Sequence, residues 1–127
     1  MVEAQILFER GWITYPRTDS THVDPEAVQA ARAVVVALYG KKALRESGGG
    51  WPVRLRPQRQ ADEPDPEAPG KAHEAIRPTD PSCWPGELEE LRPATVALYR
   101  LIWRRFLAVQ MRPARYQVIV ATFETVP

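Results

Sequence analysis

Apolar residues recur at helical spacing from the first residues of the chain. Val2, Ala4, Ile6 and Leu7 mark a short helix over residues 2–10, and Gly11 is a natural stop. The next four residues, Trp12 to Tyr15, favour extended backbone, and Pro16 pushes Tyr15 the same way. Asp24-Pro25-Glu26 opens a second helix, with Asp as N-cap, Pro in the first turn and an acid beside it. That helix continues over residues 27–39 to Gly40. Its interior, residues 33–38, is apolar nearly all round, which predicts that much of it is buried. Residues 41–46 predict a further short helical turn. Residues 47–50, Ser-Gly-Gly-Gly, read as a flexible loop.

Residues 51–70 contain five prolines and few apolar positions, so the pattern predicts an irregular surface excursion. Pro78-Thr79-Asp80-Pro81 predicts a turn, and residues 87–91 one or two helical turns. Arg92-Pro93 starts a third long helix over residues 94–110. Its apolar set is Val96, Leu98, Leu101, Ile102, Phe106 and Val109, with Tyr99, Trp103 and Met111 as added packing, and Pro113 ends it. Residues 116–123, Tyr-Gln-Val-Ile-Val-Ala-Thr-Phe, predict a strand. The fold class is therefore mainly α with a small β component.

Composition bounds the chemistry without naming it. A chain of 127 residues with 44% hydrophobic and 26% charged residues is long enough for one domain with a real core. The formal charge is only +1, so no global field points to nucleic acid. The charges are nonetheless segregated. Arg100, Arg104, Arg105, Arg112 and Arg115 crowd the last third, Arg54, Arg56 and Arg59 the middle, and the acids gather in residues 62–67 and 87–90. The single cysteine, Cys83, excludes an internal disulfide and a cysteine-based zinc site. No apolar run approaches the ~20 residues that cross a membrane, and no signal peptide is apparent. The chain opens mid-helix and closes on an apolar strand, so it is expected to be a piece of something larger.

Two stretches hold most of the reactive side chains. Gly11-Trp12-Ile13-Thr14-Tyr15-Pro16-Arg17-Thr18-Asp19-Ser20 sets a phenol, a guanidinium, hydroxyls and a carboxylate around one proline. Ala72-His73-Glu74-Ala75-Ile76-Arg77-Pro78-Thr79 adds an imidazole, a carboxylate and another guanidinium. Arg17 lies two residues beyond Tyr15, which on extended backbone puts both on one side.

The stretch from Gly11 to Ser20 resembles the active-site tyrosine motif of type IA DNA topoisomerases. The stretch from Ala72 to Thr79 is similar to the other signature of that family, and the two stand in the right order. Leu98-Tyr99-Arg100-Leu101-Ile102-Trp103-Arg104-Arg105-Phe106 and Gln110-Met111-Arg112-Pro113-Ala114 are similar to the helix that follows in its bacterial topoisomerase I members. The resemblance touches most of the chain and is weakest over residues 41–70. It implies a helical, winged-helix-related, tyrosine-bearing domain over residues 1–115, followed from residue 116 to 127 by the start of a strand of the neighbouring β-rich gate domain. The implied activity is transient cleavage of one DNA strand through a 5′-phosphotyrosine link, with passage of another strand and resealing. The partners implied are single-stranded or underwound DNA and the other domains of the parent, in the cytoplasm with the nucleoid.

The same resemblance suggests roles. Tyr15 would be the nucleophile, Arg17 would bind the scissile phosphate, and His73 would position that phosphate or deliver a proton. Thr18, Asp19 and Ser20 would tie the loop down, close to the DNA, with Asp19 orienting Arg17. Arg77 would either contact the DNA backbone or hold an acid of its own cluster, and Glu74 reads as a positioning partner. Arg100 and Arg104 share one helix face and would track phosphates, a solvated face being the alternative. Trp51 and Trp84 would stack on bases or cover the core. His22 reads as surface. Magnesium would be bound by a domain absent here, because the chain has no Asp-x-Asp-x-x-Gly and no metal site of its own. Relaxation of supercoils is not expected from this piece alone. The alternatives are a stand-alone winged-helix-like DNA-binding module, a protein-interaction domain, or a reverse gyrase parent.

Overall fold

The computed structural model describes residues 2–46, 73–88 and 90–123. Three α-helices form the body: α1 (Val2–Glu9), α2 (Pro25–Tyr39) and α3 (Pro93–Gln110). Short 3₁₀ turns at Lys41–Ala43 and Pro85–Leu88 follow α2 and precede α3. Helix α3 is central and packs against α1, α2 and the Pro85–Leu88 turn. The loop and excursion read for residues 47–70, with Trp51, lie outside the described residues.

The helix ends are written locally. Helix α1 closes with paired bonds: the Trp12 amide donates to the Leu7 carbonyl and the Gly11 amide to the Phe8 carbonyl, both at 2.8 Å. Gly11 sits at φ +76°, the left-handed conformation that this two-bond closure requires. Helix α2 starts as its sequence predicts, with the Asp24 carboxylate accepting from the Glu26 amide at 2.7 Å and Pro25 in the first turn. Gly40, at φ +80°, ends it. The α1 and α3 starts are joined through Glu3, which pairs with Arg92 at 3.0 Å and accepts from the buried Thr95 hydroxyl.

The core follows the predicted one in part. Helix α3 buries Thr95, Tyr99, Trp103, Phe106, Leu107 and Gln110, while Leu101 is 65% exposed. Phe106 of the predicted apolar set is buried and Val96, Leu98 and Ile102 pack partly buried against the core, while Tyr99 and Trp103, read as added packing, lie deeper than these three. Aromatic rings bury more area than the aliphatic residues, and their polar tips find acceptors: Tyr99 Oη donates to the Cys83 carbonyl at 3.1 Å and Trp103 Nε1 to the Pro81 carbonyl at 2.8 Å. Burial pushes the Tyr99 phenol well above its ordinary value, with the charges of Cys83, Asp80 and Glu87 adding to the effect. Helix α2 is likewise one-sided. Ala31 and Val35 are buried, but Val36, Leu38 and Tyr39 face out, because only one side of the helix meets α3.

Little strand is present among the described residues. Isolated bridges join Ile13 to Pro78, His22 to Glu74 and Leu44 to Met111. The strand predicted at residues 116–123 finds no ladder partner among the described residues, and Tyr116, Val118, Ile119, Val120 and Phe123 are 79–90% exposed. A strand exists only by pairing its N–H and C=O groups. The predicted turn lies slightly later than expected. Asp80 accepts from the Ser82 amide and hydroxyl at 2.8 and 2.6 Å, and these bonds hold its carboxyl below the ordinary value.

The burial of α3 is testable by chemical denaturation. Tyr99→Phe leaves the Cys83 carbonyl without its donor and should cost about 1 kcal/mol. Leu101→Ala, at an exposed position, should change stability by no more than about 0.5 kcal/mol. Equal losses at the two positions would show that Leu101 is buried as well.

Candidate functional site

The two chemically dense stretches meet. The Thr14 amide donates to the Arg77 carbonyl at 3.0 Å and the Thr79 amide to the Trp12 carbonyl at 3.1 Å, which makes an antiparallel pairing about Ile13 and Pro78. On the other side the Ala75 amide donates to the His22 carbonyl at 2.7 Å. Residues 73–79 therefore run between the two ends of the tyrosine stretch. Thr14 adds side-chain bonds: its hydroxyl donates to the Ala75 carbonyl at 2.7 Å and accepts from the Arg77 amide at 2.9 Å. The Thr79 hydroxyl donates to the Gly11 carbonyl. Sequence reasoning missed Thr14 as a connector. Its only signal was a hydroxyl within an otherwise apolar, β-favouring run.

This frame presents Tyr15. The residue is 53% exposed, and its ring rests edge-on against Phe8, with centroids 5.2 Å apart. The His73 ring lies 6.4 Å away, centroid to centroid. The path from Tyr15 to Arg17 is not simply extended. The Arg17 amide donates back to the Tyr15 carbonyl at 2.8 Å, a tight turn about Pro16. The turn still brings Arg17 to His73: Arg17 Nη1 and His73 Nε2 are 2.6 Å apart. A guanidinium offers only hydrogens, so this ring nitrogen is the acceptor and the ring proton belongs on Nδ1. Arg17 Nε donates to the Asp19 carboxylate at 2.8 Å. The arrangement is a chain: carboxylate, guanidinium, imidazole, with the phenol alongside.

Arg77 behaves differently. Expected among the DNA-contacting residues, it has a side chain only 12% exposed. Its Nε and Nη2 donate to the two Glu74 oxygens at 2.6 and 2.9 Å, and Nη1 donates to the Pro78 carbonyl at 2.9 Å. Of the two readings offered by the sequence, the geometry is that of a residue holding an acid. Glu74 in turn accepts from the Asp24 amide at 3.1 Å, which ties its stretch to the start of α2. The Ser20 hydroxyl accepts from the His22 amide at 3.1 Å and holds the loop. Thr18 is exposed beside it, and His22 is an exposed residue joined through its backbone.

Arg100 and Arg104 are exposed on the outer face of α3, one turn apart, and no contact among the described residues links them to the Tyr15 cluster. Trp84 is half-exposed and caps Trp103, ring centroids 5.1 Å apart, so its visible role is to cover the core. Among the described residues no group of three or more His, Cys, Asp or Glu side chains could hold a metal ion.

A family model described as DNA topoisomerase matches residues 1–126. The chain belongs to the DNA topoisomerase family. It is similar to DNA topoisomerase 1 of Escherichia coli, 39% identical over 122 residues, covering 96% of this chain and 13% of that protein. It is likewise similar to DNA topoisomerase 1 of Synechococcus elongatus, 39% identical over 121 residues, covering 95% of this chain and 12% of that protein. Among solved structures, full-length topoisomerase I from Thermotoga maritima aligns with a TM-score of 0.64 at 34% identity, covering 89% of this chain and 16% of that one. The chain thus spans about an eighth of the length of the curated relatives it matches, and its largely helical architecture matches the solved relative.

Removing the connector tests the site's construction. Thr14→Val keeps the shape but strips the Ala75 carbonyl and Arg77 amide of their hydroxyl partner, and should lower stability by about 1–3 kcal/mol in urea titration. Thr14→Ser should restore most of it. Wild-type stability in Thr14→Val would mean that the hydroxyl does not join the two stretches.

Proposed function

We propose that this chain is the tyrosine-bearing part of a type IA DNA topoisomerase of the topoisomerase I kind. The observation that carries the reading is the convergence of Tyr15, Arg17 and His73, from stretches 56 residues apart, on one exposed spot. Tyr15 Oη attacks the phosphorus of a phosphodiester in single-stranded DNA. The bond to the 3′ oxygen breaks as the bond to the phenol oxygen forms, so the 5′ phosphate ends on Tyr15. The phenol proton is lost and the departing 3′ oxygen gains one. Resealing is the reverse, with the phenolate as leaving group, and no bond energy is dissipated between the two steps.

Arg17 suits the charge that gathers on the phosphate oxygens in the transition state. A guanidinium has five N–H donors, and Asp19 and His73 engage only Nε and Nη1. Asp19 fixes its plane and acts as a positioning residue. His73 stands within reach of the same phosphate, to orient it or to pass a proton to the 3′ oxygen. The buried Tyr99, its phenol pushed upward by burial, is unsuited to the nucleophile's task. Thr18 and Ser20 shape the loop, while Arg100 and Arg104 offer phosphate contacts outside the cluster.

Magnesium, which the family resemblance implies, finds no fitting donor set among the described residues. The relation to winged-helix DNA binders, and the assignment of residues 116–127 to a neighbouring β-rich gate domain, belong to the same reading. The exposed apolar run at residues 118–120 supports the latter, since such a run calls for a partner. Strand passage and resealing of the gap would need the rest of the relatives' length, and the work would take place in the cytoplasm, at the nucleoid.

The test is a covalent adduct. Full-length protein carrying this sequence, mixed with 3′-labelled single-stranded DNA and denatured, should carry the label on Tyr15. Tyr15→Phe should abolish the adduct; an adduct of wild-type yield in that variant refutes the assignment. In pre-steady-state cleavage, Arg17→Ala should slow adduct formation about 100-fold, the scale of losing one transition-state donor. Arg17→Lys should remain slow, because a point charge does not reproduce the planar fork.

A further inference from the structure

Another concentration of positive charge lies where the segment leaving α2 meets the end of α3. Leu44 and Met111 form a bridge there. The Arg45 amide donates to the Gln110 carbonyl at 3.0 Å, and the Arg112 amide to the Ala43 carbonyl at 2.9 Å. These bonds fix Arg45 and Arg112 side by side on rigid backbone. Between them opens a hollow of about 560 Å³ lined by Arg45, Glu46, Arg112, Pro113 and Arg115. An adjoining hollow, of about 500 Å³, shares Arg45, Arg112 and Pro113 and adds Arg105.

The charges are unbalanced and partly pre-oriented. Three guanidiniums face one carboxylate in the larger hollow. Arg112 Nε donates to the Leu44 carbonyl at 3.1 Å and Nη2 to Glu46 at 2.6 Å, which fixes the plane of its fork. Arg32 adds charge behind them: its Nη2 donates to the Arg45 carbonyl at 3.2 Å, while its buried Nη1 meets no acceptor. Cations crowded this way repel one another, and a polyanion relieves the repulsion. No residue lining either hollow belongs to the Tyr15, Arg17 and His73 cluster.

We propose that this hollow is a phosphodiester-binding site that holds the backbone of a nucleic-acid strand independently of the tyrosine cluster. It rests on the reading of the chain as a protein that acts on DNA. Two hollows sharing arginines suit a strand better than a single small anion, and guanidinium forks match phosphate oxygens. Glu46 is the element that opposes binding: it is 86% exposed and competes for Arg112.

The experiment measures binding of a labelled oligothymidylate to the full-length protein by fluorescence anisotropy across a salt series. Each phosphate contact on a single strand contributes about 0.7 to the slope of log K against log salt. Arg45→Gln with Arg115→Gln should therefore flatten the slope by about 1.4, and Arg115→Gln alone, at an exposed position, by about 0.7. Glu46→Gln should move affinity the other way and tighten binding. Adduct formed per bound strand should stay at the wild-type value in all three variants. An unchanged slope in the arginine variants overturns the proposal, as does an adduct per bound strand that falls in those variants. A wild-type protein that forms no adduct but shows the altered slopes would refute the cleavage reading and leave this site standing.

Discussion

The antiparallel contact between residues 12–14 and 77–79, with the Thr14 hydroxyl at its centre, is what every other feature of the site depends on. The Thr14 side chain bridges 61 residues of sequence to Ala75. Closing a loop of that length costs entropy that grows only slowly with length, so a few well-placed bonds on a packed base can hold it. The base is α1 and α2, each laid against α3. Through the contact, His73 is carried to Arg17 and Tyr15, which its own segment could never bring together. The reactive groups sit on irregular backbone, but that backbone is pinned on both sides.

Arg17 and Arg77 show how position divides labour between identical side chains. Arg77 is nearly enclosed and is wrapped by Glu74 and backbone carbonyls. A buried guanidinium must be satisfied this way, since leaving it unpaired is costly. Arg17 is half-exposed and meets one oxygen and one imidazole nitrogen. Its fork stays at the surface. Arg77 makes the frame rigid, and Arg17 works at its edge.

Much of this is legible in the sequence, and the rest is not, for identifiable reasons. Asp24-Pro25, Gly11 and Gly40 mark helix ends correctly because capping is a local interaction. The two dense stretches announce a shared site, though not that Thr14 joins them. The pattern places Phe106 in the core and Tyr99 and Trp103 with it, but it also counts the exposed Leu101, because periodicity registers apolar character and not the acceptors, at Cys83 and Pro81, that make Tyr99 and Trp103 good core residues. Residues 33–38 have the composition of a helix buried on all sides, yet burial depends on how many neighbours a helix has. The strand at residues 116–123 has the right composition and no partner among the described residues. Pairing is a property of two segments, and one segment's pattern cannot supply the other.

Gly11 carries a consequence beyond ending a helix. A Cβ built there would meet nothing within 4 Å, yet its φ is +76°. The restriction at this position is therefore one of backbone angle and not of room. Asparagine, which tolerates the left-handed region, could take its place with modest strain, whereas valine would find ample space and still not fit. The direction in which the chain leaves α1 towards Tyr15 is thus set by torsion four residues upstream of it. A change that touches neither DNA nor any neighbour could swing Tyr15 away from Arg17 and His73, and it would pass unnoticed in any inspection of contacts.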